Sequence, residues 1–293
     1  MIGRPADCRQ RGAALLLVLW LIVLLTALVG AFALSARVEQ IQGRVLYRGV
    51  VGDQAARAGL EYALLRLGDA DPEARWIPDG RRYDWSFNGV PVQVRVVDES
   101  GKLDLNAADP QLLGALMAVL GAEPAEAERL AAAIADWRDP DDLGQVAGTA
   151  EDPQYAAAGL PYGAKDAPFE AVSELELVLG MPSELAARMA AHVTVHSRLP
   201  VPDRRYAGSQ VLQAMGIDPG PVLAGREAED GLQVAPAFVG GGTGTYSIDS
   251  RASLADGRQA RLRAVVQADG GRLPGAAYVP LRWKEGASAG DDD

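Results

Sequence analysis

The sequence predicts an α+β chain: a long N-terminal helix that starts inside a membrane, a small antiparallel β-sheet, and a large inserted α-helical domain with helix-hairpin-helix-like units. Three observations predict this. Residues 13–36 contain no charged side chain. Strand-like alternation occurs in two places far apart in the chain. Between them the apolar residues recur only at helical spacing.

The uncharged run is rich in Leu, Val and Ala and as a helix would extend roughly 36 Å, enough to cross a bilayer core. Arg4, Arg9 and Arg11 outnumber Asp7 ahead of it, which keeps the short leader cytoplasmic and sends the remainder across. A secretory signal would have a shorter apolar run with small residues behind it. A lipoprotein would carry its cysteine directly behind the run, whereas Cys8 precedes it. Two readings stay open: a plain uncleaved anchor, and a basic leader (residues 1–12) cut between Gly12 and Ala13. Beyond the span, Val38, Ile41, Val45, Ala56, Leu60, Ala63, Leu64 and Leu67 continue an i, i+3, i+4 stripe, so residues 37–70 extend the same helix. Gly43, Gly49 and Gly52 each weaken it by about 1 kcal/mol relative to Ala and predict a soft section.

Residues 71–103 begin the sheet. Aromatic and polar residues alternate from Tyr83 to Phe87, Asn88-Gly89 is a type I′ turn signal, and Val90, Val92, Val94 and Val96 mark one face of the partner strand. The second strand region, 236–285, has Tyr246 and Ile248, an Asp256-Gly257 turn, alternating Ala260, Leu262, Ala264 and Val266, and a last strand through Trp283. Residues 104–235 form the insertion, with helices expected at 110–120, 124–137, 172–179, 183–193 and 209–215 and no strand among them. The tail 286–293 ends in three aspartates and is expected to be disordered.

Composition excludes several classes. The net charge is −11, which disfavours a phosphate backbone as partner. The hairpin-like turns at 121–124 and 180–183 carry no cation, so they read as packing units rather than DNA grips. One cysteine and two histidines leave little for Cys-His or zinc chemistry. His192 and His196 are four apart with no third ligand and read as an ordinary helix end. No phosphate loop occurs, and Gly240-Gly241-Gly242-Thr243-Gly244 reads as a joint re-entering the sheet.

Residues 104–199 hold 16 acidic and five basic side chains, a net charge equal to that of the whole chain. Asp136, Asp139, Asp141 and Asp142 crowd one helix end, and Glu151 and Asp152 follow. Crowded carboxylates suit a hard cation with oxygen ligands such as Ca²⁺, but they also suit a solvated turn with helix-capping aspartates. Composition leaves both open.

The helix with its leader resembles the N-terminal helix of type IV pilins and pseudopilins. If the chain is cut after Gly12, its fifth residue is Leu17, where ordinary members carry a glutamate. A carboxylate in a bilayer needs a partner, which in the ordinary arrangement is the amino terminus of a neighbouring subunit. A subunit with nothing ahead of it does better with an apolar residue there. Further segments make the likeness specific: Arg9-Gln10-Arg11-Gly12-Ala13-Ala14-Leu15-Leu16, Gly101-Lys102-Leu103-Asp104-Leu105-Asn106, Asp136-Trp137-Arg138-Asp139-Pro140-Asp141-Asp142, Phe169-Glu170-Ala171-Val172-Ser173-Glu174-Leu175 and Leu281-Arg282-Trp283. Together they resemble the K-type minor pseudopilins of the type II (general) secretion pathway.

That resemblance implies a pseudopilin fold and a structural, non-enzymatic subunit capping the tip of a periplasmic pseudopilus. It implies a single-pass inner-membrane protein with a cytoplasmic N-terminus and a periplasmic remainder. The implied partners are the I-type and J-type minor pseudopilins, the prepilin peptidase, the inner-membrane secretion platform, and secreted cargo or the outer-membrane secretin, with no nucleic acid. The stripe Val38, Ile41, Val45 would meet neighbouring helices. Calcium in the acidic loop is a family feature, so the resemblance implies Ca²⁺ at Asp136, Asp139, Asp141, Asp142, Glu151 and Asp152. The short Gly- and Ala-rich stretch 144–150 departs from the family's pattern and bears on the number of ions. A minor pilin of a type IV pilus is the alternative, disfavoured by the large acidic insert. A membrane-anchored periplasmic hydrolase using a carboxylate pair is a further one.

Overall fold

The computed structural model describes residues 13–141, 143–145, 148–229, 243–268 and 278–287. The chain divides into two units, Met1–Gly52 and Asp53–Asp293. Helix α1 (Ala13–Leu67) is unbroken over 55 residues, so the expected soft section does not interrupt it. Isolated glycines lower helix propensity but keep both backbone hydrogen-bonding groups, and the ladder continues through them.

In the second unit, the end of α1 packs its small face, Ala55, Ala56, Leu60 and Ala63, on Val92, Val94, Ile248 and Leu262 of the sheet. The approach is close because of one residue. A Cβ on Gly59 would lie 2.3 Å from Ser250 Oγ and 2.7 Å from Val92 Cγ1. The sheet is antiparallel, in the order β1 (Asp79–Phe87), β2 (Val90–Asp98), β5 (Thr245–Ser253), β6 (Gln259–Gln267) and β7 (Val279–Ala287). Asn88 and Gly89 both have positive φ, 48° and 79°, as a type I′ turn requires. Period-2 burial puts Val92, Val94 and Val96 of β2 on the helix side and Gln93, Arg95 and Val97 on the other.

Adjacent strands β2 and β5 are far apart in sequence. The chain leaves the sheet at Asp98 and returns so that Asp98 pairs with Tyr246 in register. Between them lies the helical insert: α2 (Pro110–Val119), α3 (Pro124–Arg138), α4 (Asp152–Ala157), α5 (Ser183–Met189), α6 (Ser209–Ala214) and α7 (Pro219–Glu229). Asp109 caps α2, its carboxylate accepting from Gln111 N at 2.7 Å, and Pro110 and Pro124 open α2 and α3 where a missing N–H costs nothing. The insert has its own core, including Leu113, Leu116, Met117, Ile134, Trp137 and Tyr155.

Three expectations need correction. The insert contains strands: β3 (Leu103–Asp104) pairs in parallel with β4 (Val193–Thr194). The helix expected to reach residue 193 therefore stops at Met189, because Leu103 and Leu105 draw the carbonyls of His192 and Thr194 into this ladder. His192 and His196 flank β4 rather than a helix end. The segment expected as a helix at 172–179 is a 3₁₀ turn, Val172–Leu177, so the second hairpin-like unit has only one α-helix. Helices α4 and α7 were not expected; Pro153, Pro219 and Pro221 sit in their first turns.

Candidate functional site

The first unit presents the span. Ala14–Gln40 is long and apolar enough to cross a membrane, with mean hydropathy 2.9, and none of it is buried within the chain. Leu17 is 71% exposed and Val38 is exposed as well. Ile41 and Val45 lie within α1 on the same stripe, with their side chains outside the described residues. Ala13 is the first helical residue, and Gly12 lies outside the described residues.

The acidic stretch is organised by backbone amides. Asp136 is fully buried at the end of α3. Its Oδ1 accepts from Gln145 N at 3.2 Å and its Oδ2 from Ala150 N at 2.7 Å. Burial pushes this carboxyl up, the two amides pull it down, and the nearby Asp139 charge adds to the rise. Asp139 accepts from Asp141 N at 3.1 Å and Asp141 from Leu143 N at 2.9 Å, each closing its own turn. Glu151 is the N-cap of α4. Asp152, its first residue, accepts from Ala164 N at 3.1 Å. Asp142 lies outside the described residues. Among the described residues no three His, Cys, Asp or Glu side chains are gathered to hold a metal ion. Each described carboxylate of the set serves a turn, loop or cap of its own.

The motif at 101–106 joins insert to sheet. Glu99 Oε1 takes Lys102 Nζ at 2.6 Å, and Lys102 Nζ also donates to Ser247 Oγ on β5 at 3.1 Å. Burial pushes Glu99 up, but the Lys102 charge and the hydrogen bonds outweigh it and hold the carboxyl below its usual range. A Cβ on Gly101 would lie 2.4 Å from the Tyr206 carbonyl, so only glycine lets these backbones touch. Buried Asp104 accepts from Asn106 N at 2.8 Å, Arg198 N at 2.7 Å and Ser197 Oγ at 3.2 Å. Arg138 donates to the carbonyls of Leu105 and Ala108. Trp137 packs 6.1 Å from Tyr155 and 6.2 Å from Phe169, ring centre to ring centre. Tyr155 Oη accepts from Leu179 N at 2.9 Å, and burial raises its phenol to about 12.

Segments singled out in the sequence are thus staples of one small domain. Ser247, Tyr206 and Ser197 were missed as their partners. Asp-x-Asn at 104–106 signals a local turn, but nothing in it shows which distant backbone it holds.

Residues 94–198 match the family model described as type II secretion system (T2SS) protein K. Type II secretion system protein K of Klebsiella pneumoniae is 31% identical over 206 residues, covering 63% of this chain and 62% of that protein. The protein of the same description from Pectobacterium carotovorum subsp. carotovorum is 28% identical over 216 residues, with 63% and 62% covered. The chain thus spans less than two thirds of the length of these relatives. The structure of the GspK-GspI-GspJ complex of the enterotoxigenic Escherichia coli type 2 secretion system contains a chain similar in fold. The TM-score is 0.56 at 17% identity, over 86% of this chain and 99% of that one. The fold is the α+β pseudopilin fold, and the region that matches the type II secretion system protein K model spans β3, β4 and helices α2 to α5 of the insert.

Proposed function

We propose that this chain is a structural, non-enzymatic minor pseudopilin that caps the tip of a type II secretion pseudopilus and so supports protein secretion across the outer membrane. The carrying observation is the helical insert held between neighbouring strands β2 and β5, in the stretch that matches the protein K family. The fully exposed apolar span, with Leu17 at the fifth position after Gly12, supports a subunit with no neighbour ahead of it. The similar solved chain is named in a complex with GspI and GspJ, which supports I-type and J-type minor pseudopilins as partners here. In this reading the prepilin peptidase cuts between Gly12 and Ala13, the protein is single-pass in the inner membrane with its N-terminus cytoplasmic, and the second unit is periplasmic. Ca²⁺ binding at 136–152 belongs to the same proposal. Its support is the oxygen-donor chemistry, and it requires Asp139 and Asp141 to give up the turn amides they hold.

Deletion of the gene should abolish exoenzyme secretion, and the full chain should restore it. Mass spectrometry of the mature protein should give an N-terminus at Ala13. An intact Met1 together with normal secretion in the deletion strain would overturn the reading.

A further inference from the structure

The acidic insert hides an opposite charge elsewhere. On the sheet face turned away from α1, strand register lines up Arg82, Arg95, Asp249, Arg263 and Lys284 in one row across all five strands. In the next row Arg251 faces Arg261. Asp249 lies within 4.0 Å of three of these guanidiniums, those of Arg251, Arg261 and Arg263. Asp84, which ends the second row, and Asp249 are outnumbered by these six cations, which leaves the face positive in a chain whose net charge is −11. Arg95, Arg263 and Lys284 are exposed.

The chemistry of the face selects among occupants. Its cations are nearly all arginines, whose planar forks engage carboxylates two bonds at a time and lose little water in doing so. The outward positions of β1, β2, β5 and β6 hold no aromatic residue and no Leu, Ile or Met; their apolar residues are the small Pro91, Val97 and Val265. A face built for a lipid surface pairs its basic residues with such apolar side chains, which enter the acyl boundary. Rows dominated by guanidinium and short polar groups, with only small apolar residues among them, suit a flat, hydrated protein surface instead.

We propose that this sheet face is a docking surface for a carboxylate-rich surface of a partner protein. The partner is recognised by charge, so binding falls steeply with ionic strength.

The test uses the full chain in phosphatidylcholine nanodiscs, with fluorescently labelled poly-L-glutamate as probe and anisotropy as readout. Binding is expected at low salt and should weaken strongly by physiological salt. Arg95→Glu with Arg263→Glu should weaken it by about tenfold or more. Arg129→Glu with Arg188→Glu, the same charge change placed on the insert, should weaken it less than about twofold. Arg95→Ala with Arg263→Ala, which adds no repulsion, should show an intermediate loss with unchanged melting, so that misfolding is excluded as the cause. Absence of probe binding, or equal loss in the two Glu pairs, would overturn the proposal. So would binding to phosphatidylglycerol vesicles without binding to poly-glutamate, or a salt-sensitive self-association abolished by the Arg95 and Arg263 pair, which would assign the face to lipid or to a second copy.

Discussion

Asn106 and Phe169 pair as if they were neighbouring strand residues. The Asn106 side chain donates to the Phe169 carbonyl at 2.9 Å and accepts from the Phe169 amide at 2.7 Å, across 63 positions of sequence. A side-chain amide offers a donor and an acceptor side by side, as a backbone peptide unit does. The pair fixes the chain leaving β3 to the segment that carries Phe169 under Trp137.

Asn106→Ala should therefore cost about 2–3 kcal/mol, because it removes two bonds and leaves the partly buried Phe169 groups unmatched. Asn106→Asp keeps the acceptor and loses the donor, so it should fall between. Urea unfolding of the full chain in non-ionic micelles, followed by tryptophan fluorescence, measures both. Equal stability of Asn106→Ala and the parent chain would show that the pair is incidental.

Gly59 gives a second expectation. A methyl group there would meet Ser250 Oγ at 2.3 Å and Val92 Cγ1 at 2.7 Å. Helix propensity favours alanine by about 1 kcal/mol, but overpacking costs about 1–3 kcal/mol and should win. Gly43→Ala, with nothing within 4 Å of its added Cβ, should be neutral or stabilising by up to about 1 kcal/mol. Opposite signs for two identical substitutions on one helix, measured by thermal melting, check that α1 is pressed against the sheet at Gly59.

Much of the framework was legible in the sequence, for local reasons. The Asn88-Gly89 turn and the alternating valines of β2 announce the hairpin because period and turn chemistry are both short-range. The two strand regions on either side of 104–235 were legible too, whereas the pairing of β2 with β5 across the insert was not. The β3–β4 pair was not legible, since two-residue strands have no period and their partner is some 90 positions away. The same holds for the candidate site. The carboxylates 136 to 152 stand out in the sequence, but their geometry is set by amides at 145, 150 and 164 whose positions depend on loop closure.

The buried Glu99–Lys102 pair predicts a pH dependence. Its side chains are 2% and 14% exposed. Glu99 is held below the usual carboxylate range in the folded state, so its contribution is present above the unfolded value and is lost as pH falls through the lower folded value. Lys102→Met removes the partner and leaves a buried carboxylate with only hydrogen bonds for compensation, at a cost of about 3–5 kcal/mol near neutral pH. Burial then raises Glu99 instead, and the sign reverses: the variant should gain stability as pH falls toward the carboxylate range. Denaturation midpoints at several pH values decide it. A Lys102→Met variant that loses stability on acidification in parallel with the parent chain would show that the pair does not set the dependence.

Asp136 offers the sharpest separation between a loop held by amides and a loop held by an ion. Its two oxygens tie the end of α3 to Gln145 N and Ala150 N, nine and fourteen positions on. Asp136→Asn keeps one acceptor oxygen and turns the other into a donor facing a donor, which should cost about 1–3 kcal/mol. Because the tether is a backbone one, this loss should be present in chelator. Asp139→Ala with Asp141→Ala leaves the tether intact, so its melting temperature in chelator should stay close to that of the parent chain. If Ca²⁺ enters the stretch in the way proposed, the parent chain melts later in calcium than in chelator by the mass-action gain of a ligand that binds only the folded state. The double variant then loses that shift alone. Magnesium should reproduce it poorly, since a small octahedral shell does not suit many carboxylates on a loop. A full-chain melting temperature in chelator that is unchanged by Asp136→Asn would remove the tether, and an unchanged temperature on adding calcium to metal-stripped protein would remove the ion.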